Sequence, residues 1–275
     1  MLEILKAVIY GIVEGITEWL PVSSTGHMIL LEKIMPLEVT AEFWNMFLVV
    51  IQLGAILAVV LIFWNKIFPF HFKEKQIVDW KIMNLWVKIL IACIPAGIVG
   101  VLFDDWLDEH LYNFWVVSVM LILVGIVFII VENWNQKRKR RPVMRKTQDI
   151  TYQAALLIGI FQLIAAVFPG TSRSGATIIG ALLIGVSRTA AAEFTFYLSI
   201  PVMFGASLLK LLKFGFSFTA MEIGILLSGM IVSFVVSVVV IRFLMGYIKK
   251  HDFKVFGWYR IVLGAVVLLY FGVLQ

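Results

Sequence analysis

Six stretches of this chain are long and apolar enough to cross the ~30 Å hydrocarbon core of a bilayer. They are Phe43–Trp64, Leu85–Phe103, Phe114–Val131, Phe194–Leu212, Ile223–Met245 and Trp258–Leu274. With 61% hydrophobic and 15% charged residues, the chain has too little polar surface to cover a soluble globule of 275 residues. The expected class is an all-α integral membrane protein. Its lone cysteine, Cys93, lies within one stretch beside Pro95, so neither an intrachain disulfide nor a thiolate-metal cluster is expected. The opening "MLEILK" carries an acid early and no small-residue cleavage site follows it, so no removable signal peptide is expected.

The net charge of +6 gathers in three segments: Lys66–Lys81, "QKRKRRPVMRK" at 136–146 and "KKHDFK" at 249–254. Basic loops beside apolar spans stay on the cytoplasmic side, which accounts for the charge without a nucleic-acid partner. The acidic segment "DDWLDEH" (104–110) then falls outside as a loop. Two clear spans separate Thr151 from "KKHDFK", both inside, so residues 152–186 must enter and leave on one side. Within them "FPGTSRSGATI" (168–178) would break a helix in mid-membrane. That stretch reads as a re-entrant pair of half-helices, and residues 2–31, broken at Pro21, read as another that enters from outside. Both termini are expected outside. Broken backbone at this depth survives only where protein or a wet cavity surrounds it.

An offset of 148 residues brings Ala7 onto Ala155, Gly11 onto Gly159, Glu14 onto Gln162, Pro21 onto Pro169 and Ser24 onto Ser172. Each half, about 1–131 and 152–275, would hold one re-entrant pair and three spans, joined by the basic loop 132–151. Three is odd, so the second half must be upside down relative to the first. This is the inverted-repeat plan, in which sites form on discontinuous helices near the midplane.

The two breaks carry most of the polar chemistry. Glu14 and Glu18 share one helix face, where like charges repel. A divalent cation with oxygen ligands, Mg²⁺ or Ca²⁺, or Arg173 from the other break, would relieve them. Ser23 or Ser24, and Thr171 or Ser172, stand where a second half-helix needs a cap. Both half-helices would aim amides and a positive dipole end at the protein centre, which suits an anion. Arg173 adds a planar fork matched to phosphate oxygens. His27 is the only histidine in an apolar region, three residues after Ser24, so the two could share a proton. The set fits a phosphorylated lipid, either as phosphate-ester chemistry or as transport.

"EGITEWLPVSSTGHMIL" (14–30) with "PGTSRSGATI" (169–178) resembles the two signature regions of the bacterial undecaprenyl pyrophosphate phosphatase family of the bacitracin-resistance type. "VVIQLGAILAVV" (49–60) and "LIGVSRTAAAEFTF" (183–196) are similar to further family segments. The resemblance implies hydrolysis of undecaprenyl pyrophosphate in the cytoplasmic membrane, which recycles the carrier lipid for the cell wall and confers bacitracin resistance. It also implies an inverted-repeat fold and a homodimer. By position it puts metal and catalysis on Glu14 and Glu18, the catalytic hydroxyl on Ser24, the histidine on His27 and the pyrophosphate-binding arginine on Arg173. Thr25, Ser172 and Thr177 match supporting positions of the family motifs, and with Ser23 and Ser174 they are the expected substrate-binding residues beside Arg173. Leu48 departs from relatives that carry a polar or acidic residue there. The attacking group stays open between Ser24, His27 and a water, and a polyprenyl phosphate transporter or flippase is the alternative function.

Overall fold

The computed structural model describes residues 1–70, 77–137 and 142–273. His71, Lys73, Lys75, residues 138–141 and the last expected span residue, Leu274, lie outside the described residues. In chain order the helices are α1 (Leu2–Thr17), α2 (Ser24–Ile34), α3 (Ala41–Val50), α4 (Gln52–Ile67), α5 (Trp80–Leu111) and α6 (Phe114–Lys137). After a 3₁₀ turn at Thr147–Asp149 come α7 (Tyr152–Val167), α8 (Arg173–Leu183), α9 (Arg188–Phe214), α10 (Ala220–Tyr247) and α11 (Lys254–Val273).

Six helical segments are long and apolar enough to span a membrane, and all six contain or overlap the expected stretches. The first combines α3 and α4 across Ile51. Their starts are written in the sequence: Asp79 accepts the Lys81 amide at 2.8 Å, Ser187 that of Ala190 at 3.3 Å and Thr219 that of Glu222 at 3.2 Å. Outward faces of these helices carry exposed Leu57, Leu61, Ile94, Ile98, Leu123, Val235 and Phe243. In a spanning helix such a face is the lipid-contacting one.

The acidic segment corrects the sequence reading. The backbone stays helical through 104–110 and α5 ends only at Leu111. No glycine or proline follows Gly100 before that point, so nothing in the local sequence breaks the helix. The connection is left to Tyr112 and Asn113, whose Oδ1 accepts the Val116 amide at 3.0 Å.

The remaining four helices are short. The 16 residues of α1 and α7 reach about 24 Å, and the 11 of α2 and α8 about 16 Å. Each is shorter than the ~30 Å hydrocarbon core is thick. α1 lies along α10, and α7 lies along α5. A Cβ on Gly11 would stand 2.6 Å from the Gly229 carbonyl oxygen, and one on Gly159 would stand 2.4 Å from that of Ala92. The Gly11/Gly159 identity thus serves one kind of backbone contact, made twice. α6 packs against α11, and α9 touches α3, α4, α5 and α8.

The described parts of the three basic segments share one face: Gln136 donates to Asp252 at 2.7 Å, and Ser187, at the start of the helix that carries the Lys66 partner Glu193, donates to the Arg145 carbonyl at 3.1 Å. There Lys66 pairs with Glu193 at 2.9 Å, and Lys88 donates to the Gln148 carbonyl at 2.9 Å. Buried Glu132 accepts from Arg188 Nε at 2.9 Å and from the Phe253 amide at 3.0 Å. At the other end of the Ala41–Ile67 span, Lys6 donates to the Pro36 carbonyl at 2.7 Å and the Glu38 amide to Glu3 at 2.8 Å. The N-terminus therefore sits on the face away from the basic segments.

Candidate active site

Each short pair is interrupted by a turn that ends in a serine at positive φ: Ser23 at φ 71° and Ser172 at φ 68°. Among the described residues no other non-glycine residue takes a positive φ. Such backbone costs about 1–3 kcal/mol and persists only where its surroundings enforce it. Gly170, at φ +89°, is pressed on α6 so closely that a Cβ would lie 2.6 Å from the Val117 carbonyl oxygen. Ser23 and Ser172 are the N-caps of α2 and α8. The backbone therefore matches Ser24 with Arg173, one residue along from the Ser24/Ser172 match that the 148-residue offset gives. Ser172 caps with its hydroxyl, which accepts the Gly175 amide at 3.1 Å, whereas the buried Ser23 Oγ has no hydrogen-bond partner.

The two turns touch each other. Ser174 Oγ donates to the Glu18 carbonyl at 3.2 Å, and Arg173 Nη2 reaches Glu18 Oε1 at 2.8 Å. The second carboxylate oxygen, Oε2, accepts from Ser24 Oγ at 2.9 Å. One carboxylate thus holds the arginine of one turn and the serine that follows the other. Thr177 supports Arg173 from behind, donating to its carbonyl at 2.9 Å and meeting Thr195 Oγ1 at 2.9 Å. Glu18, Ser24, Thr25, Gln52, Ser172 and Arg173 line a cavity of about 170 Å³. Its apolar wall comes from Ala165, Val202, Met203 and Ala206. At that size it takes a headgroup, since pockets for whole drug-sized ligands run to about 300–1,000 Å³.

Of the other expected partners, His27 stands apart from the Ser24–Glu18–Arg173 chain, whereas Glu14 adjoins it at Glu18. Both ring nitrogens of His27 are engaged elsewhere, Nδ1 with the Ser23 carbonyl at 2.7 Å and Nε2 with the Tyr259 hydroxyl at 2.6 Å. The expected Ser24–His27 proton pair is therefore absent from this arrangement, because the helix turns the ring toward α11 while Ser24 faces α1. Glu14 is buried one turn before Glu18, and its Oε1 has no hydrogen-bond partner. That orphaned oxygen, next to a second carboxylate, is a donor set for a hard cation. Among the described residues no three of His, Cys, Asp and Glu gather. Two carboxylates with water and phosphate oxygens as further ligands are a set that could hold either of the expected cations, Mg²⁺ or Ca²⁺.

The family described as bacitracin resistance protein BacA matches residues 7–266, a range that includes both turns and every residue of the cavity. This chain belongs to the BacA family. An undecaprenyl-diphosphatase of Desulfitobacterium hafniense is 62% identical over 99% of this chain and 97% of its own length. Undecaprenyl-diphosphatase 1 of Clostridium acetobutylicum is 62% identical over 98% of each chain, and an undecaprenyl-diphosphatase of Enterococcus faecalis is 61% identical over 98% of this chain and 97% of its own. Leu48, the departure noted from sequence, packs in the apolar cluster around Phe47 and does not line the cavity.

Three residues of this BacA-family site escape the sequence reading. Gln52 stands in the cavity wall at the start of α4. Tyr259 stacks on His27 with ring centroids 5.6 Å apart. Arg260 is fully buried and donates to the Pro21 carbonyl at 3.2 Å and to those of Gly170 and Thr171 at 2.8 and 2.9 Å. The signal for Arg260 was available, since a lone arginine inside an apolar span marks function by default.

Proposed function

We propose that this chain is an undecaprenyl-diphosphatase that removes the terminal phosphate of undecaprenyl pyrophosphate and returns the carrier lipid to cell-wall synthesis. The observation that carries this reading is the hydrogen-bonded sequence Ser24–Glu18–Arg173 at a headgroup-sized cavity between two helix starts. The diphosphate enters with its oxygens toward Arg173 and the first amides of α2 and α8, where the dipole ends favour anions. Arg173 gives Nη2 to Glu18 and, over a long 3.5 Å, Nη1 to the Thr195 carbonyl, and its other N–H groups face the phosphate in this reading. Ser24 Oγ attacks the terminal phosphorus as its proton passes to Glu18 Oε2, the acceptor it already faces at 2.9 Å. A serine–phosphate bond forms, the anhydride P–O bond breaks, and the electron pair leaves on undecaprenyl phosphate. Glu18 passes that proton to the departing phosphate oxygen and is again a carboxylate when water attacks the phosphoserine. Glu18 then takes the water's proton, the Ser24 Oγ–P bond breaks, the proton returns to Ser24 Oγ and inorganic phosphate leaves. Glu14, with Glu18 beside it, would hold a divalent cation, Mg²⁺ or Ca²⁺, whose charge would offset that developing on the phosphate oxygens. His27 keeps the start of α2 in position through Ser23 and Tyr259.

The fold belongs to the same reading: an inverted repeat, about 1–131 and 152–275 around the basic loop 132–151, with α1–α2 and α7–α8 as re-entrant pairs. The matching packing of α1 on α10 and α7 on α5, and the matching strained serines, support it. The positive-inside bias supports both termini outside the cytoplasmic membrane, and the family resemblance supports a homodimer. Because matched broken helices are a transporter plan, movement of polyprenyl phosphate is the second reading. Phosphate release from undecaprenyl pyrophosphate by purified protein in detergent tests the first: release that depends on protein supports it, and none overturns it.

A further inference from the structure

Broken backbone at bilayer depth leaves carbonyls that no helix satisfies, and lipid offers them no donor. Three such carbonyls converge on one side chain. Arg260 of α11 gives Nη1 to Pro21 in the first turn, and Nη2 to Gly170 and Thr171 in the second. A single guanidinium is therefore bonded to both turns at once, 239 and about 90 residues away in the chain. The residues that do the proposed chemistry are divided between those same turns, Glu18 and Ser24 on one and Arg173 on the other.

An apolar side chain filling this place would leave the three carbonyls without a donor. α6 and α11 cross at Gly125 and Gly257, where a Cβ on either would lie 2.7 or 2.8 Å from the other's carbonyl oxygen. Three residues on from each glycine come Phe128 and Arg260. Both side chains reach the same place, each 3.4 Å from a Cβ built on Gly175. The Phe128 ring and the Arg260 guanidinium thus stand side by side against the start of α8. The carbonyls of both turns are met by the guanidinium.

We propose that Arg260 is a positioning residue for the reaction: it locks the two turns in register so that Ser24 and Arg173 address one phosphate. This rests on the phosphatase reading above. Lysine at 260 keeps the charge but replaces a planar fork with a single ammonium, which cannot hold three carbonyls across both turns in the same geometry. A misplacement of reacting groups by about 1 Å costs on the order of 100-fold in rate.

The test compares purified wild-type protein, Arg260→Lys and Arg260→Met for folded fraction, thermal midpoint, kcat and KM with undecaprenyl pyrophosphate. Expected are a fall in kcat per folded molecule of about 10- to 100-fold in Arg260→Lys with KM within threefold, and an equal or larger fall with raised KM in Arg260→Met. If methionine gives no folded protein, Arg260→Gln replaces it with the same expectation. Variants whose folded molecules keep kcat and KM within twofold of wild type, whatever their thermal midpoint, would overturn the proposal. Failure of the phosphatase reading is distinct, because the wild-type protein itself would then release no phosphate.

Discussion

Substituting Glu18 by glutamine keeps the shape of the side chain and removes the charge on which Arg173 and Ser24 both depend. The Arg173 and Glu18 side chains are 14% and 8% exposed, so the ion pair is largely desolvated. Removing one member of a buried pair costs about 3–5 kcal/mol, because the other charge stays buried without compensation. Glu14 remains within electrostatic reach of Arg173, and glutamine can still accept one hydrogen bond, so the lower end, about 3 kcal/mol, is expected. Removing the arginine as well, in Glu18→Gln/Arg173→Met, relieves the unpaired charge. The double variant should be less destabilised than the two single losses added together, with a coupling of about 1–3 kcal/mol. Activity should follow the other oxygen: without a carboxylate facing Ser24, kcat should fall about 10²- to 10⁴-fold, the usual worth of a general base. Thermal unfolding in one detergent gives the stability cycle, and phosphate release per folded molecule gives kcat. Additive stability losses would refute the ion pair as the link between the turns. A Glu18→Gln enzyme within threefold of wild-type kcat would refute Glu18 as the base.

Arg173→Lys should lose at least about nine-tenths of the activity while staying folded, since one ammonium cannot reproduce a bidentate fork; near-normal turnover would reduce Arg173 to an ion-pair partner. Glu14→Gln should raise the Mg²⁺ concentration needed for half-maximal rate after chelator treatment, and an unchanged titration would remove Glu14 from the metal. Gly159→Ala pushes a methyl to 2.4 Å from the Ala92 carbonyl oxygen, so a loss of about 1–3 kcal/mol is expected from overpacking; a thermal midpoint equal to wild type would contradict the α5–α7 contact. In a Cys93→Ser background, Leu107→Cys should react with an impermeant thiol reagent in intact cells and Lys137→Cys should not, and the reverse pattern would invert the topology.

The spans were legible because lipid forces one long apolar run per crossing, and nothing in tertiary packing can shorten it. Both breaks were legible for the complementary reason, since Pro21, Pro169 and Gly170 are costly inside a helix. The acidic segment misled because charge says where a chain leaves the bilayer without saying that its helix ends; α5 continues to Leu111. At the site, the residue types could be read but not their pairing. Ser24 and His27 are one turn apart in sequence, yet the first residue of α2 faces Glu18 and the ring faces Tyr259. Spacing cannot resolve such a choice, because it depends on where α1 and α11 lie. Arg260 illustrates the same limit from a greater distance: its partners are backbone carbonyls, which leave no mark in the sequence.

The account rests on Ser24 as the attacking oxygen, held by Glu18 and aimed at a phosphate gripped by Arg173. Phosphate release from undecaprenyl pyrophosphate by purified Ser24→Ala protein, with its thermal midpoint checked against wild type, tests this most directly. Expected is a folded protein whose release falls to the no-enzyme background. Release by the folded variant at more than about one-tenth of the wild-type rate, well above what survives loss of a nucleophile, would contradict it and hand the attack to a water.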